Sequence, residues 1–223
     1  MKFRASSSLV FEKLQQVLPR ELVYVALRRR NAIRAVLSSN NWAKNDYAGP
    51  SPDRMKRAVL LRNGYPEGTW VETGTYLGDT TAELAKRAKS VFSLEPEPKL
   101  YASAAKRFAD APNVTIMNGT SEDLFPALLE RLAGDVSFWL DGHASGGLTF
   151  QGSKDTPVVE ELHAIGGALS RFQRVSVMVD DLHCFHPSHP ESSHYPRVDF
   201  LVDWARKHGL VWHIEHNIFI AKR

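Results

Sequence analysis

The 223-residue sequence predicts an α/β domain built on a largely parallel sheet, preceded by a basic helical extension. Three observations carry that expectation. From Thr69 onward, short apolar runs alternate with segments long enough for helices, the pattern of a parallel sheet covered on both faces. The last two apolar runs are only about two residues apart, too close for a parallel crossover, so they form an antiparallel hairpin. Ahead of them, residues 1–65 carry 13 Lys and Arg against 4 Asp and Glu, whereas the remainder carries 15 against 21.

The extension reads as helices. Ser8 caps a segment whose Val10, Leu14, Val17 and Leu18 share a face, and Pro19 interrupts it. A second segment, expected over residues 21–37, aligns Leu22, Val25, Ala26, Ile33 and Val36 in one stripe, with Arg28, Arg30 and Arg34 elsewhere. The polar stretch Ser38-Ser39-Asn40-Asn41 is expected to end it. A third, short helix is expected over residues 53–62, stopped at Asn63-Gly64. Residues 1–64 therefore form the extension and 65–223 the domain. Strands are expected over 69–73, 90–94, 114–117, 136–140 and 175–179, with helices over 80–88, 98–108, 121–132 and 156–172 between or beside them. A helix over 198–208 and the paired runs 210–214 and 217–221 close the chain.

Composition narrows the class. A hydrophobic fraction of 43% with 24% charged residues is that of a soluble protein able to bury a core. No run approaches the roughly 18 apolar residues of a membrane span, and the first residues lack a secretory apolar region, so a cytoplasmic setting is expected. A single cysteine, Cys184, precludes an intrachain disulfide and a multi-thiolate zinc site. The basic extension suits nucleic acid, an anionic membrane face or an acidic substrate; equally, its arginines can cover apolar surface with their heads in water. Its apolar stripe needs burial, against the domain or in a homodimer.

The turn after the first strand, Val71-Glu72-Thr73-Gly74-Thr75-Tyr76-Leu77-Gly78, lies where ligands bind in doubly wound sheets. Gly74 admits close backbone approach, and Gly78 a tight entry into the helix. The order is G-x-x-x-G, not the G-x-G-x-x-G of dinucleotide sites, and no triphosphate-binding G-x-x-x-x-G-K-[ST] is present. Glu72 beside the turn disfavours a pyrophosphate and suits a cationic amino-acid group. Glu95, at the end of strand two, stands where a carboxylate accepts hydrogen bonds from ribose hydroxyls. Asn118-Gly119-Thr120-Ser121-Glu122-Asp123 follows strand three, within reach of an adenine ring. Each feature alone is weak, a strand-end glutamate being more often a surface cap; their joint spacing points to an adenosine-containing cofactor.

Glu72-x-Gly74-x-x-x-Gly78, Glu95 and Ser121-Glu122-Asp123, closed by a C-terminal hairpin, resemble the class I S-adenosylmethionine-dependent methyltransferases over residues 65–223. The resemblance implies a Rossmann-like seven-stranded sheet of order 3-2-1-4-5-7-6 with an antiparallel terminal strand. It assigns Gly74 and Gly78 to the methionine part of the cofactor, Glu95 to its ribose and Ser121 to its adenine, with Glu72 orienting the turn.

Strand four exits through Asp141-Gly142-His143 and strand five through Asp180-Asp181-Leu182-His183. Three carboxylates converging on one edge can hold a hard divalent cation, expected to be Mg2+, that helps deprotonate a hydroxyl. The alternative is that Asp141 caps a loop and Asp180 and Asp181 are exposed strand-end acids. The layout is similar to metal-dependent O-methyltransferases of the catechol and macrolide-sugar types, with Asp181 where the catechol type has asparagine. Leu140-Asp141-Gly142-His143-x-Ser145-Gly146-Gly147, followed by Thr156-Pro157-x-x-x-Glu160-Glu161, also resembles methyltransferase-like proteins found with polysaccharide biosynthesis. His143 is the candidate general base, Asp141 its companion, and Lys154 a candidate contact for an anionic substrate or an alcohol. His183, His186, His189 and His194 mark a substrate-recognition loop or, alternatively, a transition-metal site.

The function expected is methyl transfer from S-adenosylmethionine to a hydroxyl of a small molecule, such as a sugar, with divalent-metal assistance. The net acidic charge of residues 66–223 argues against nucleic acid as partner. RNA methylation, or cofactor binding without catalysis, is the alternative.

Overall fold

In the computed structural model the apolar runs become one seven-stranded sheet of order β3-β2-β1-β4-β5-β7-β6, as the resemblance implied. Residues 19–48, 51–142, 156–188 and 195–223 are described. The strands are β1 (Thr69–Thr73), β2 (Ser90–Glu95), β3 (Val114–Asn118), β4 (Gly134–Leu140), β5 (Phe172–Val179), β6 (Val211–Glu215) and β7 (Ile218–Lys222). The first five are parallel, β7 runs antiparallel to β5, and β6 pairs antiparallel with β7. The hairpin turn is His216-Asn217, with φ of 49° and 67°. Two successive left-handed residues match the twist of the flanking strands, and asparagine tolerates that conformation well.

Alternation along the strands divides the core. Val71, Phe138 and Val177, adjacent in register, enter one cluster with Phe125, Leu128, Leu162 and Ile165 from helices. Trp70, Trp139, Met178 and Ile220 enter the cluster on the opposite face, with Val59, Leu60 and Leu84. Because the side-chain period of a strand is two, a one-residue slip of β1 or β4 would exchange the two cores; burial on both faces fixes the register. Helices α2 (Asp53–Asn63), α3 (Asp79–Ala85), α4 (Pro98–Arg107), α5 (Ser121–Glu130), α6 (Val158–Ala168) and α7 (Val198–Lys207) accompany the sheet. Strand order reverses beside β1, which opens a crevice at its carboxyl end.

The chain divides into two units, Met1–Ala48 and Gly49–Arg223. The division falls earlier than the sequence suggests, because residues 53–63 belong to the sheet-bearing unit: Val59 and Leu60 are buried in its core and Asn63 donates to Glu215 of β6. The described part of the first unit is one helix, α1 (Arg20–Lys44). It runs through the serines expected to stop it, since the Ser38 and Ser39 hydroxyls donate back to the Ala35 carbonyl at 3.2 and 2.9 Å. Its buried residues are Val23, Tyr24 and Leu27, whereas Leu22, Val25, Ile33 and Val36, the expected stripe, are exposed. The helix expected before Pro19 lies outside the described residues. Among the described residues, no helix is long and apolar enough to cross a membrane.

Candidate active site

The turn after β1 is held by β2: the Gly74 and Thr75 amides both donate to the Leu94 carbonyl, at 3.0 and 3.1 Å. Gly74 has φ of 88°, and a Cβ there would lie 2.5 Å from the Asp141 carbonyl oxygen. Gly78, with φ of 75°, starts α3 under the Phe108 ring. Both expected glycines are thus demanded by conformation and space. Gly74→Ala is expected to destabilise the protein by at least about 1–2 kcal/mol, the cost of a left-handed alanine, with backbone overlap in addition. Urea denaturation reads this directly, and an unchanged midpoint would show that the turn relaxes freely.

Glu72 is 1% exposed and Glu95 3% exposed. Glu72 Oε2 accepts from Thr81 Oγ1 at 2.5 Å and Ser93 Oγ at 2.6 Å, while its buried Oε1 has no partner. Burial lifts its pKa to about 7; the two hydroxyls oppose this, and the charges of Asp141 and Glu95 add to it. Glu95 Oε2 accepts from the Tyr76 amide at 2.7 Å and Oε1 from the Glu97 amide at 3.0 Å. Burial raises its pKa as well, against those two amides. The carboxylate expected for a ribose therefore also anchors the glycine turn.

Ser121 opens α5, after Thr120 accepts from the Asp123 amide at 3.4 Å as the helix cap. Beside it lies a residue that sequence reasoning quoted but assigned no role. Glu161 of α6 is 2% exposed, and burial lifts its pKa to about 7 while the Ser121 and Thr73 hydroxyls lower it. Its Oε1 and the buried Thr73 Oγ1 make no hydrogen bond of ordinary geometry. Glu72 and Thr73 alternate across the sheet, so unfilled oxygens flank the carboxyl end of β1 from both faces. Two successive glutamates in an amphipathic helix carry no signal of which one is buried.

The three expected acids do meet. Oxygen atoms of Asp141, Asp180 and Asp181 lie within 4.8 Å of one another. Lys56 of α2, however, places Nζ 2.8 Å from both Asp180 oxygens and 2.8 Å from Asp181 Oδ1. Asp181 is held with φ of 50°, and its amide donates to Asp180 Oδ1 at 2.7 Å. Burial, then the charges of Asp141 and Asp181, push Asp180 up to about 7 against Lys56. The two aspartates raise the Lys56 pKa despite its burial. The compensating charge that the sequence reading gave to Mg2+ is therefore supplied by an ammonium, and the three acids do not fit a divalent ion while Lys56 holds two of them. Nothing in the spacing of Lys56 marked it, since it precedes β1 and meets Asp180 only through the fold.

His143 and Lys154 lie outside the described residues, as do His189 and His194. His183 Nδ1 is 2.7 Å from Asn217 Nδ2, and among the described residues no histidine joins a group with metal-ligand spacing.

No protein-family model matches the chain. A curated protein of Methanosarcina mazei, "Probable ribosomal RNA small subunit methyltransferase A", is 35% identical over 65 residues, 29% of this chain and 24% of that protein. The match thus spans about a quarter of the relative's length. Among solved structures, the N-methyltransferase NodS from Bradyrhizobium japonicum aligns with a TM-score of 0.51 at 10% identity, over 76% of this chain and 94% of its own. An rRNA methylase from Streptococcus thermophilus aligns with a TM-score of 0.44 at 17% identity, over 77% and 95%. The fold is the Rossmann-like methyltransferase fold. The curated relative is named for ribosomal RNA, and this overturns the expectation that sets nucleic acid aside as a partner.

Proposed function

We propose that the protein is an S-adenosylmethionine-dependent methyltransferase whose acceptor is RNA. The observation that carries the cofactor is the set of buried, unfilled oxygens around the end of β1. Glu72 Oε1 has no donor among the described residues, and burial lifts the carboxyl's pKa to about 7. A pyrophosphate would add repulsion there, whereas an ammonium supplies the missing donor and the opposite charge. Gly74 and Gly78 would carry the methionine portion, Glu95 the ribose hydroxyls and Ser121 the adenine. When bound, the sulfonium offers its methyl group to an acceptor lone pair and departs as a neutral thioether.

The roles of Asp141 and of His143 and Lys154, the latter two beyond the described residues, are proposals on the same reading. Asp141 faces the acceptor from the end of β4, His143 takes the proton, and Lys154 contacts phosphate. The RNA acceptor replaces the small hydroxylated molecule of the sequence reading. It is supported by the curated relative's name and by the arginine-rich first unit, in which Arg29 and Arg34 are exposed. Because Lys56 meets the charge of the acid pair, divalent metal is not required on this reading, and a chelator should leave the rate unchanged.

Calorimetry with S-adenosylmethionine, its demethylated product and NAD tests the cofactor; preferential binding of NAD would sink the proposal. Glu95→Ala is expected to weaken cofactor binding by about 1.5–3 kcal/mol, the usual worth of hydrogen bonds to a charged group. Transfer of labelled methyl groups to total RNA, against protein and small-molecule fractions, tests the acceptor.

A further inference from the structure

We infer that the cleft beside the exit of β5 seats one nucleotide of a single-stranded RNA, its base on an apolar wall and its phosphate at Arg197 and His186. This rests on the RNA reading above and says where on the protein that acceptor is read. The cleft has a volume of about 570 Å3, within the range of small-molecule sites and ample for a nucleotide.

Its position ties it to the chemistry. Asn217, at the hairpin turn, lines the cleft and donates to Asp181 Oδ1 at 3.4 Å, so the cleft abuts the acid–lysine cluster. Asn217 is itself locked: its Oδ1 accepts from the His183 amide at 2.8 Å, which fixes Nδ2 as the donor toward Asp181 and His183.

Its two kinds of lining suit the two parts of a nucleotide. Pro187, Val198 and Ile214 give an apolar wall above the buried Phe185, and Ile214 is 49% exposed. An uncovered apolar side chain offers an unstacked base a surface out of water, and single strands are recognised by splaying bases onto protein surfaces. At the rim, Arg197 forms no ion pair among the described residues, although Asp199 shares the cleft. The Ser188 amide donates to His186 Nδ1 at 3.2 Å, which leaves Nε2 as the proton-bearing donor. A planar guanidinium and an imidazole N–H together match a phosphodiester.

The test uses the full chain, a labelled single-stranded RNA of mixed sequence and anisotropy titrations across a salt series, with S-adenosylmethionine affinity measured in parallel. Arg197 and Ile214 are both exposed, so Arg197→Ala and Ile214→Ala should fold normally. Arg197→Ala is expected to weaken RNA binding and to reduce the slope of log K against log salt by about 0.7, the value for one single-strand phosphate contact. Ile214→Ala should weaken binding with the slope unchanged. Both should bind S-adenosylmethionine as the parent does. RNA affinity and slope unaltered in both variants would overturn the cleft while leaving the methyltransferase reading intact. A parent protein that binds S-adenosylmethionine but no RNA would overturn the cleft and the RNA acceptor together. A parent that binds no S-adenosylmethionine would instead overturn the cofactor.

Discussion

Lys56→Met is expected to cost about 3–5 kcal/mol of stability, the penalty for leaving one half of a buried ion pair uncompensated. The lysine side chain is 15% exposed and that of Asp180 5%, so solvent does little to screen the orphaned carboxylates. Three acids whose oxygens lie within 4.8 Å would then need another cation. Millimolar Mg2+ should accordingly restore part of the lost stability in the variant while leaving the parent unmoved, and urea denaturation with and without the ion reads both. Lys56→Arg, which keeps the charge, should lose much less. A methionine variant as stable as the parent would show that the aspartates are compensated elsewhere.

The second large effect is on pH. Glu72 and Glu161 are both pushed by burial to about 7 from an ordinary value of 4.5. Their folded values exceed their unfolded ones, so between roughly pH 4.5 and 7 the folded protein holds more protons than the unfolded chain. The stability they contribute is fully present below about pH 4.5 and is lost as pH rises through 7. The slope approaches about 1.4 kcal/mol per pH unit for each group. Denaturation midpoints across that range should therefore fall with pH, and Glu72→Gln or Glu161→Gln should each flatten the fall. Cofactor binding provides a second readout. An ammonium at Glu72 favours the ionised carboxylate, so binding at neutral pH should release a proton, seen as a dependence of the calorimetric heat on the buffer's ionisation enthalpy. No such dependence, with binding intact, would place the ammonium away from Glu72.

Periodicity carried most of the architecture. The runs at Thr69–Thr73 and Ser90–Glu95, apolar or small apart from Glu72 and Glu95, fit a sheet buried on both faces, and the two-residue gap at His216-Asn217 admits only a hairpin. Element ends were less legible, because back-bonding hydroxyls let the first helix continue past Ser38, and β5 starts at Phe172 rather than three residues later. The turn after β1 was readable because glycines at positive φ and a strand-end carboxylate that accepts from the turn's backbone have few structural substitutes. Lys56 and Glu161 were not. Each acts through a neighbour far away in sequence, Asp180 for one and Thr73 and Ser121 for the other, and one-dimensional spacing holds no trace of such a meeting.

The distance along the chain between Lys56 and Asp180, 124 residues, has a consequence for synthesis. A nascent chain presents the lysine long before β5 and its two aspartates leave the ribosome. Burying an ammonium without a counter-charge is unfavourable, so α2 keeps that side chain in water until the partner strand arrives. Closure of the Lys56 cluster is then expected only after β5 has joined the sheet, deferred further by the entropy of closing so long a loop. A chain interrupted between β3 and β5 would carry the glycine turn and Glu95 but no closed acid–lysine cluster, which would form only once translation has passed the fifth strand.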